Sequence, residues 1–436
     1  MSSTVETSTE ANAFGGVVAR LTGVNGGLVL LALVTGPVQA RVLGPDGRGE
    51  LAAIITVLVL APLILDFGLA DFVTRERARG AAAGRTLGTA VPLALGFSLL
   101  GVLLAWPLGE LLGQGREVVE RFVRLSLLLM PLFVFGWMVL GVARGAQRFE
   151  IIRRWQLIGA AGSGLVILGL AAVGRLTVTS AVVATIVMSV TALVVSLPVL
   201  RGTGRWRFDR RVVRPALGFG ARSWILAVSS TANHRLDQAV MAAVVTSAEL
   251  GRYAVAAGLV AIASGFVGAV VTALLPRVAR EGIQSVPRIV RVSVLVMAGA
   301  LAALTASAPF AVPLLFGSDF KGAVPLVAIL AVATVFMGVS AVAGSALQGH
   351  GRPQDSARPQ LAGLIITIVG LALVLDPLGA VGAALVSCAA YAAVLFGTIR
   401  AARREFKTSV AELLVPRRAD VRWLLSRVRD RSGRAA

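Results

Sequence analysis

The sequence predicts an all-α integral membrane protein of about twelve transmembrane helices, arranged as two pseudo-symmetric six-helix lobes. Three observations carry this. Of 436 residues, 56% are hydrophobic and only 15% charged, with a mean hydropathy of +0.84, whereas soluble domains run near half apolar. A two-helix passage occurs twice: Arg41–Gly80 and Val244–Gly282 match at one offset, pairing Gly49 with Gly251, Ala52 with Ala254, Arg75 with Arg277 and Gly80 with Gly282. Each copy reads as an acidic, Gly-containing turn, an apolar run long enough to cross a bilayer, and an arginine cluster. Duplicated helical bundles with a site between the halves are a common transporter plan. Third, the basic residues alternate between connections in the way a multi-pass topology requires.

Residues 1–14 form a polar, acidic N-terminus with no basic n-region. The first span is therefore expected to stay as an uncleaved helix. Apolar stretches of at least ~17 residues then lie at 17–40, 51–73, 86–108, 121–143, 155–174 and 178–200, which make the first lobe (15–200). A basic link, RGTGRWRFDRRVVRP (201–215), leads to spans at 216–244, 253–276, 290–307, 323–347, 360–375 and 379–399, the second lobe (216–400). Residues 401–436 form a basic tail. Gly and Pro37 in the first span predict a helix that can bend. Small residues recur in nearly every span, as in GAAGSG (159–164), and let helices approach closely in lipid.

Lys and Arg number 31 in or bordering the even-numbered connections and in the tail, against 8 in or bordering the odd-numbered ones. By the positive-inside rule both termini are cytoplasmic. The net charge of +20 thus belongs to connections between spans, and a nucleic-acid partner is not expected because no polar basic domain exists. One cysteine and two histidines give no disulfide framework or metal site, and no cofactor or metal is expected.

Ionisable and polar groups at membrane depth carry the most information. On a helix at ~100° per residue, Arg222, Ser229, Asn233 and Asp237 of the seventh span share a sector of roughly 80°, with Ser230 at its edge, Arg235 nearly opposite and His234 between. Such a stripe suits a water-filled wall that binds substrate. Alternatively, Asn233 and Asp237 bond each other or neighbouring arginines and only hold the bundle. The first span carries Arg20 and Asn25, with Arg20 either a phosphate contact or an anchor at the membrane edge. Asp66 lies well inside the second span, where a carboxylate either takes part in ion coupling or pairs with a cation such as Arg20. Asp71 is expected to pair with Arg75 at i,i+4. In the tail, VRWLLSRVRD (421–430) reads as an interfacial amphipathic helix on anionic inner-leaflet lipids.

RVLGPDGRGEL resembles the "aRxLGpxxxG" signature of bacterial polysaccharide flippases. RLDQAVMAAVVTSAELGRYAVAA (235–257) resembles their seventh-helix pattern, an Asp followed by a loop ending in Gly-x-Tyr. These proteins belong to the multidrug/oligosaccharidyl-lipid/polysaccharide (MOP) exporter superfamily. The resemblance implies two six-helix bundles in a MATE-like V shape. It further implies a flippase that moves undecaprenyl-pyrophosphate-linked oligosaccharide from the inner to the outer leaflet by alternating access, for cell-surface polysaccharide assembly. Its partners would be the lipid-linked glycan and other polysaccharide-assembly membrane proteins. On this reading Arg20, Arg222 and Arg235 meet the pyrophosphate, and Asn25, Ser229 and Asn233 bond sugar hydroxyls. The alternatives are a cation-coupled multidrug exporter, which needs acidic rather than basic cavity residues, and a peptidoglycan lipid-precursor flippase. A membrane glycosyltransferase would need paired acids in its first outer loop. There Asp46 and Glu50 stand apart, flanked by Arg41 and Arg48, so no enzyme is expected.

Overall fold

The computed structural model describes residues 3–262, 286–350, 352–420 and 422, with side chains from Gly26 onward except at positions 226, 230, 232, 234 and 353. Most of the eighth expected span and all but residue 422 of the amphipathic stretch 421–430 lie outside the described residues. Among those described, every regular element is a helix, as the composition predicts.

The first helix, α1, runs Ser3–Leu65 and departs from helical geometry at Gly44 (φ 68°, ψ 179°) rather than at Pro37. Two local facts put the break there. Gly44 tolerates positive φ, and Pro45 disfavours the α conformation in the residue before it. After Leu65, Phe67 (φ 51°) and Gly68 (φ 70°) turn the chain into α2, Leu69–Ala78. Then come α3 (Ala83–Leu103), α4 (Ala105–Gly113), α5 (Glu117–Leu128) and α6 (Met130–Gly145). The last two meet at 52°, with proline in the first turn of α6. Next are α7 (Phe149–Gln156), a π-helical stretch Leu157–Gly162, α8 (Ser163–Ala172), α9 (Val178–Ser196) and α10 (Arg210–Val244). Residues 247–262 form the described part of α11. α12 (Val286–Phe316), α13 (Ala323–Gly349), α14 (Pro353–Phe406) and α15 (Val410–Leu414) complete the chain. α14 is broken at Gly379 (φ 51°, ψ −135°), a conformation open to glycine.

Seven described helices are long and apolar enough to cross a membrane, or eight with α5 and α6 as one bent span. The stretches Gly26–Leu65 and Gln354–Phe406, at 40 and 53 residues, are each long enough for two crossings of about 20 residues. Each contains a glycine break that separates the two. α10, at 35 residues, is long enough to cross as well, but its middle is polar. The chain is a multi-pass membrane protein.

The helices form two compact units, Met1–Gly251 and Arg252–Ala436. In the first, the second arm of α1, continued by α2, runs antiparallel to α10 along its whole length. At one end Gly49 and Gly251 make a reciprocal approach. A Cβ on Gly49 would overlap the carbonyl oxygen of Ser247, and a Cβ on Gly251 would overlap that of Pro45. Pro45 and Ser247 are themselves matched positions of the duplicated passage. At the other end a Cβ on Gly68 would overlap the Gly220 carbonyl, and Trp224 Nε1 donates to Ile64 O at 2.8 Å.

In the second unit Ala333, Met337, Ala390 and Tyr391 form a core between α13 and α14, with Phe336, Ile366 and Cys388 against it. Tyr253 is fully buried, its hydroxyl 3.4 Å from Ser387 Oγ. The segment after α14 docks on the start of α12. Arg291 donates to both Asp420 carboxylate oxygens, Nε to Oδ2 at 2.7 Å and Nη2 to Oδ1 at 3.2 Å, and Nη1 reaches Glu412 O. The Asp420 carboxyl is held below the usual carboxylate range, chiefly by these Arg291 bonds.

Candidate functional site

α10 carries the polar stripe, and the structure resolves how its members are used. Ser229, Asn233 and Asp237 are buried on one face, as their spacing predicts. Ser229 Oγ donates back to Ile225 O at 2.6 Å, and an Asp237 oxygen accepts the Gln238 backbone N–H at 2.7 Å. Arg222, two turns earlier, is exposed. Arg20 and Asn25 lie on α1 ahead of the described side chains, and Ser230 and His234 are likewise outside them.

Next to this face the structure assembles a cluster from three stretches of chain. Gln238, buried on α10, accepts at its Oε1 from Arg235 Nη1 (3.4 Å), and Thr56 Oγ1 of α1, whose proton goes to Ala52 O at 2.7 Å, lies 3.5 Å from the same oxygen. Arg48, just past the Gly44 break, donates from Nη1 to Gln39 Oε1 across that break at 3.1 Å. The Arg48 and Arg235 guanidinium groups are close enough for their like charges to interact. Arg48 Nε is buried with no hydrogen-bond partner among the described residues. Two neighbouring cations and an orphaned donor, framed by two glutamine amides and a hydroxyl, form an anion-receiving arrangement. Guanidinium forks match phosphate oxygens in particular.

Of this cluster only Arg235 was singled out from sequence. Gln39, Thr56 and Gln238 are neutral polar residues inside apolar runs, and Arg48 reads as a loop charge in RVLGPDGRGE. One local signal was available for Arg48. Pro45 suits a first helical position, which puts residues 45–50 in the opening turn of a helix rather than in a loop.

At the end of α10 near Gly251, the α4–α5 turn closes over the helix terminus. Arg116 donates to Ala242 O (2.9 Å) and Ser247 Oγ (2.6 Å), and to Gly113 O and Leu112 O at the end of α4. Gln114 Nε2 donates to Ala243 O. A cation between two helix C-termini satisfies carbonyls that have no intrahelical partner and opposes both dipoles.

Asp66 is buried, 4% exposed. Its two carboxylate oxygens accept the Ala70 backbone N–H at 3.2 and 3.3 Å, so it caps the start of α2. Asp71 accepts from Ser223 Oγ of α10 rather than pairing with Arg75, whose guanidinium lies 4.6 Å over the Phe219 ring. α10 thus engages both side chains, and Arg75 Nε also lies 4.0 Å from Glu76 Oε1.

The chain matches the family model described as "Polysaccharide biosynthesis protein" over residues 38–325. No curated protein matches it. Among solved structures it is similar to the lipid II flippase MurJ in an inward closed conformation, with a TM-score of 0.71 and 12% identity over 90% of this chain and 89% of that one. It also resembles an inward-facing multidrug resistance MATE family transporter of the MOP superfamily, with a TM-score of 0.62 and 15% identity over 88% of this chain and 98% of the other. A MOP superfamily transporter from Pyrococcus furiosus, described as having a binding pocket of reverse polarity, gives a TM-score of 0.56 and 13% identity over 91% and 96%. At these identities the likeness is one of fold.

Proposed function

The chain belongs to the polysaccharide biosynthesis protein family and has the fold of MOP superfamily flippases and transporters, and from that premise we propose that it flips an undecaprenyl-pyrophosphate-linked oligosaccharide. The direction is from the inner to the outer leaflet of the bacterial cytoplasmic membrane, with both termini in the cytoplasm. The observation that carries this is the Arg48–Arg235 pair with its unpartnered Nε and its glutamine and threonine frame. Like charges in a half-buried cluster favour an anion that neutralises them. A pyrophosphate on a lipid has the charge and the oxygen geometry to do so.

In the proposed topology Arg222 stands toward the cytoplasmic end of α10 and Arg235 toward the outer end. Thirteen residues apart on a helix, they are separated by roughly 20 Å. The headgroup would meet Arg222 first and leave from Arg48 and Arg235, while Asn25, Ser229, Asn233 and Asp237 offer hydrogen bonds to sugar hydroxyls. Arg20 would add a cation from the first span, and Asp66 is the candidate for ion coupling. The role is transport rather than catalysis.

A cation-coupled drug exporter is supported only by the buried Asp66 carboxylate, which the α2 cap already engages. The deciding experiment measures polyprenyl-pyrophosphate glycans by mass spectrometry in cells lacking the protein, then complements them with Arg48→Gln/Arg235→Gln. One lipid-linked oligosaccharide should accumulate, its surface polymer should be missing, and the double variant should fail to restore it at wild-type abundance. Accumulation of a peptidoglycan precursor instead would reassign the substrate. An unchanged lipid pool would end the flippase reading.

A further inference from the structure

The link between α9 and α10 is a built strap rather than a loose tether. Its backbone lies along α3, where Arg207 N donates to Gly84 O at 3.2 Å and Asp209 N donates to Thr89 Oγ1 at 3.0 Å. Two glycines make room for it. A Cβ on Gly84 would overlap the Arg205 carbonyl, and one on Gly88 would overlap the backbone of Arg207. Thr203 is buried and accepts from Trp206 Nε1 at 3.1 Å, while the Trp206 ring lies 6.5 Å from that of Phe135.

With the Arg207 and Asp209 peptides turned to α3, the strap presents its arginines outward. Arg201, Arg205 and Arg207, with Arg210, Arg211 and Arg214 in the first turns of α10, are all exposed. None of them forms an ion pair with a carboxylate among the described residues. Between them stand Trp206, 39% exposed, and Phe208, 56% exposed.

We propose that this strap is a preformed binding site for anionic phospholipid headgroups of the leaflet it borders. It joins the end of one membrane-crossing helix, Val178–Leu200, to the start of another, so it sits at the depth of the headgroups. Arginines bind the phosphates, and the interleaved tryptophan and phenylalanine occupy the zone where aromatic residues concentrate at membrane interfaces. A soluble acidic protein or a nucleic acid would gain nothing from that depth. The site differs from a flexible polybasic tail because its backbone is already ordered, so headgroups bind without the cost of fixing the chain. It is independent of what the protein transports.

The test compares two four-arginine variants of the full-length protein, purified in detergent, by counting retained phosphatidylglycerol per protein with mass spectrometry. One carries Arg205→Gln, Arg207→Gln, Arg210→Gln and Arg211→Gln. The other removes the same charge from exposed arginines elsewhere in the first unit: Arg79→Gln, Arg144→Gln, Arg148→Gln and Arg154→Gln. Retained phosphatidylglycerol should fall several-fold in the strap variant and hold in the control. An equal fall in both, no fall in either, or co-purification of an acidic protein or nucleic acid at the strap would overturn the proposal.

A second measurement needs no arginine variant. In nanodiscs, brominated phosphatidylglycerol should quench Trp206 fluorescence, taken as the difference from Trp206→Phe, more than brominated phosphatidylcholine does. Equal quenching by the two lipids also counts against the site.

Discussion

Replacing Asp420 by alanine should free the segment after α14 from α12 while leaving the membrane helices folded. Asp420 is 1% exposed and Arg291 7%. The substitution removes two charge-assisted bonds from Arg291 and the Asp420 acceptor for Arg417 N, which lies at 2.9 Å. Arg291 is left buried with the Glu412 carbonyl. Removing one partner of a buried pair costs about 3–5 kcal/mol. Here the segment can lift away and rehydrate Arg291, so the loss is limited to the free energy of docking. A loss of ~3 kcal/mol, at 1.4 kcal/mol per tenfold, raises the undocked population roughly 100-fold.

Arg417 and Arg418 are exposed trypsin sites beside the docked aspartate, and cleavage there samples the locally opened state. The cleavage rate in Asp420→Ala should rise toward that factor, with an unchanged thermal midpoint for the rest of the protein. Unchanged cleavage in a well-folded variant would refute the reasoning. The pH dependence has a definite sign. Because the folded carboxyl lies below its ordinary value near 3.9, its stabilisation is complete above that value and is lost as pH falls through the folded value. Wild-type docking should therefore weaken only in acid, and Asp420→Asn docking should be weak and flat with pH.

Gly49→Ala and Gly251→Ala should each lower thermal stability by at least about 1–3 kcal/mol, because the added methyl meets backbone rather than a flexible side chain. Gly299→Ala on α12, where nothing lies within 4 Å of the added carbon, should be neutral or stabilising by up to about 1 kcal/mol. Fluorescence-detected size-exclusion melts separate the three, and equal behaviour would mean that the close approach is not real. Asp66→Asn keeps an acceptor for Ala70 N–H and removes the titratable proton. It should fold at wild-type abundance and lose any pH dependence of transport, measured in proteoliposomes, whereas Asp66→Ala should cost about 1 kcal/mol as a lost cap. Retention of the full pH response in Asp66→Asn would leave Asp66 with capping alone.

Much of the fold was legible because a bilayer demands apolar runs of fixed length and because Gly and Pro mark where such runs turn. The RVLGPD turn became the Gly44 break, and the gap between the expected spans 360–375 and 379–399 became the break at Gly379 in α14. The short ninth and eleventh spans were underestimated for a physical reason. Hydropathy registers only the apolar part of a helix, whereas backbone hydrogen bonds continue through Arg288 and Arg291 at the start of α12 and through Asp355 and Arg358 at the start of α14. The buried face of α10 followed from spacing within one helix. The Gln39–Arg48 and Thr56–Gln238 partnerships did not, because they depend on how two stretches of chain meet. Asp71 illustrates the same limit, since i,i+4 spacing made Arg75 available but packing brought Ser223 closer.

The reciprocal seating of Gly49 against Ser247 and of Gly251 against Pro45 also ties the two positions together. Each turn supplies both a glycine that is pressed and a carbonyl that presses on the other, as in a contact that answers itself across a symmetric interface. A side chain gained at either glycine pushes against the other's turn, so neither turn can change at this point without the other.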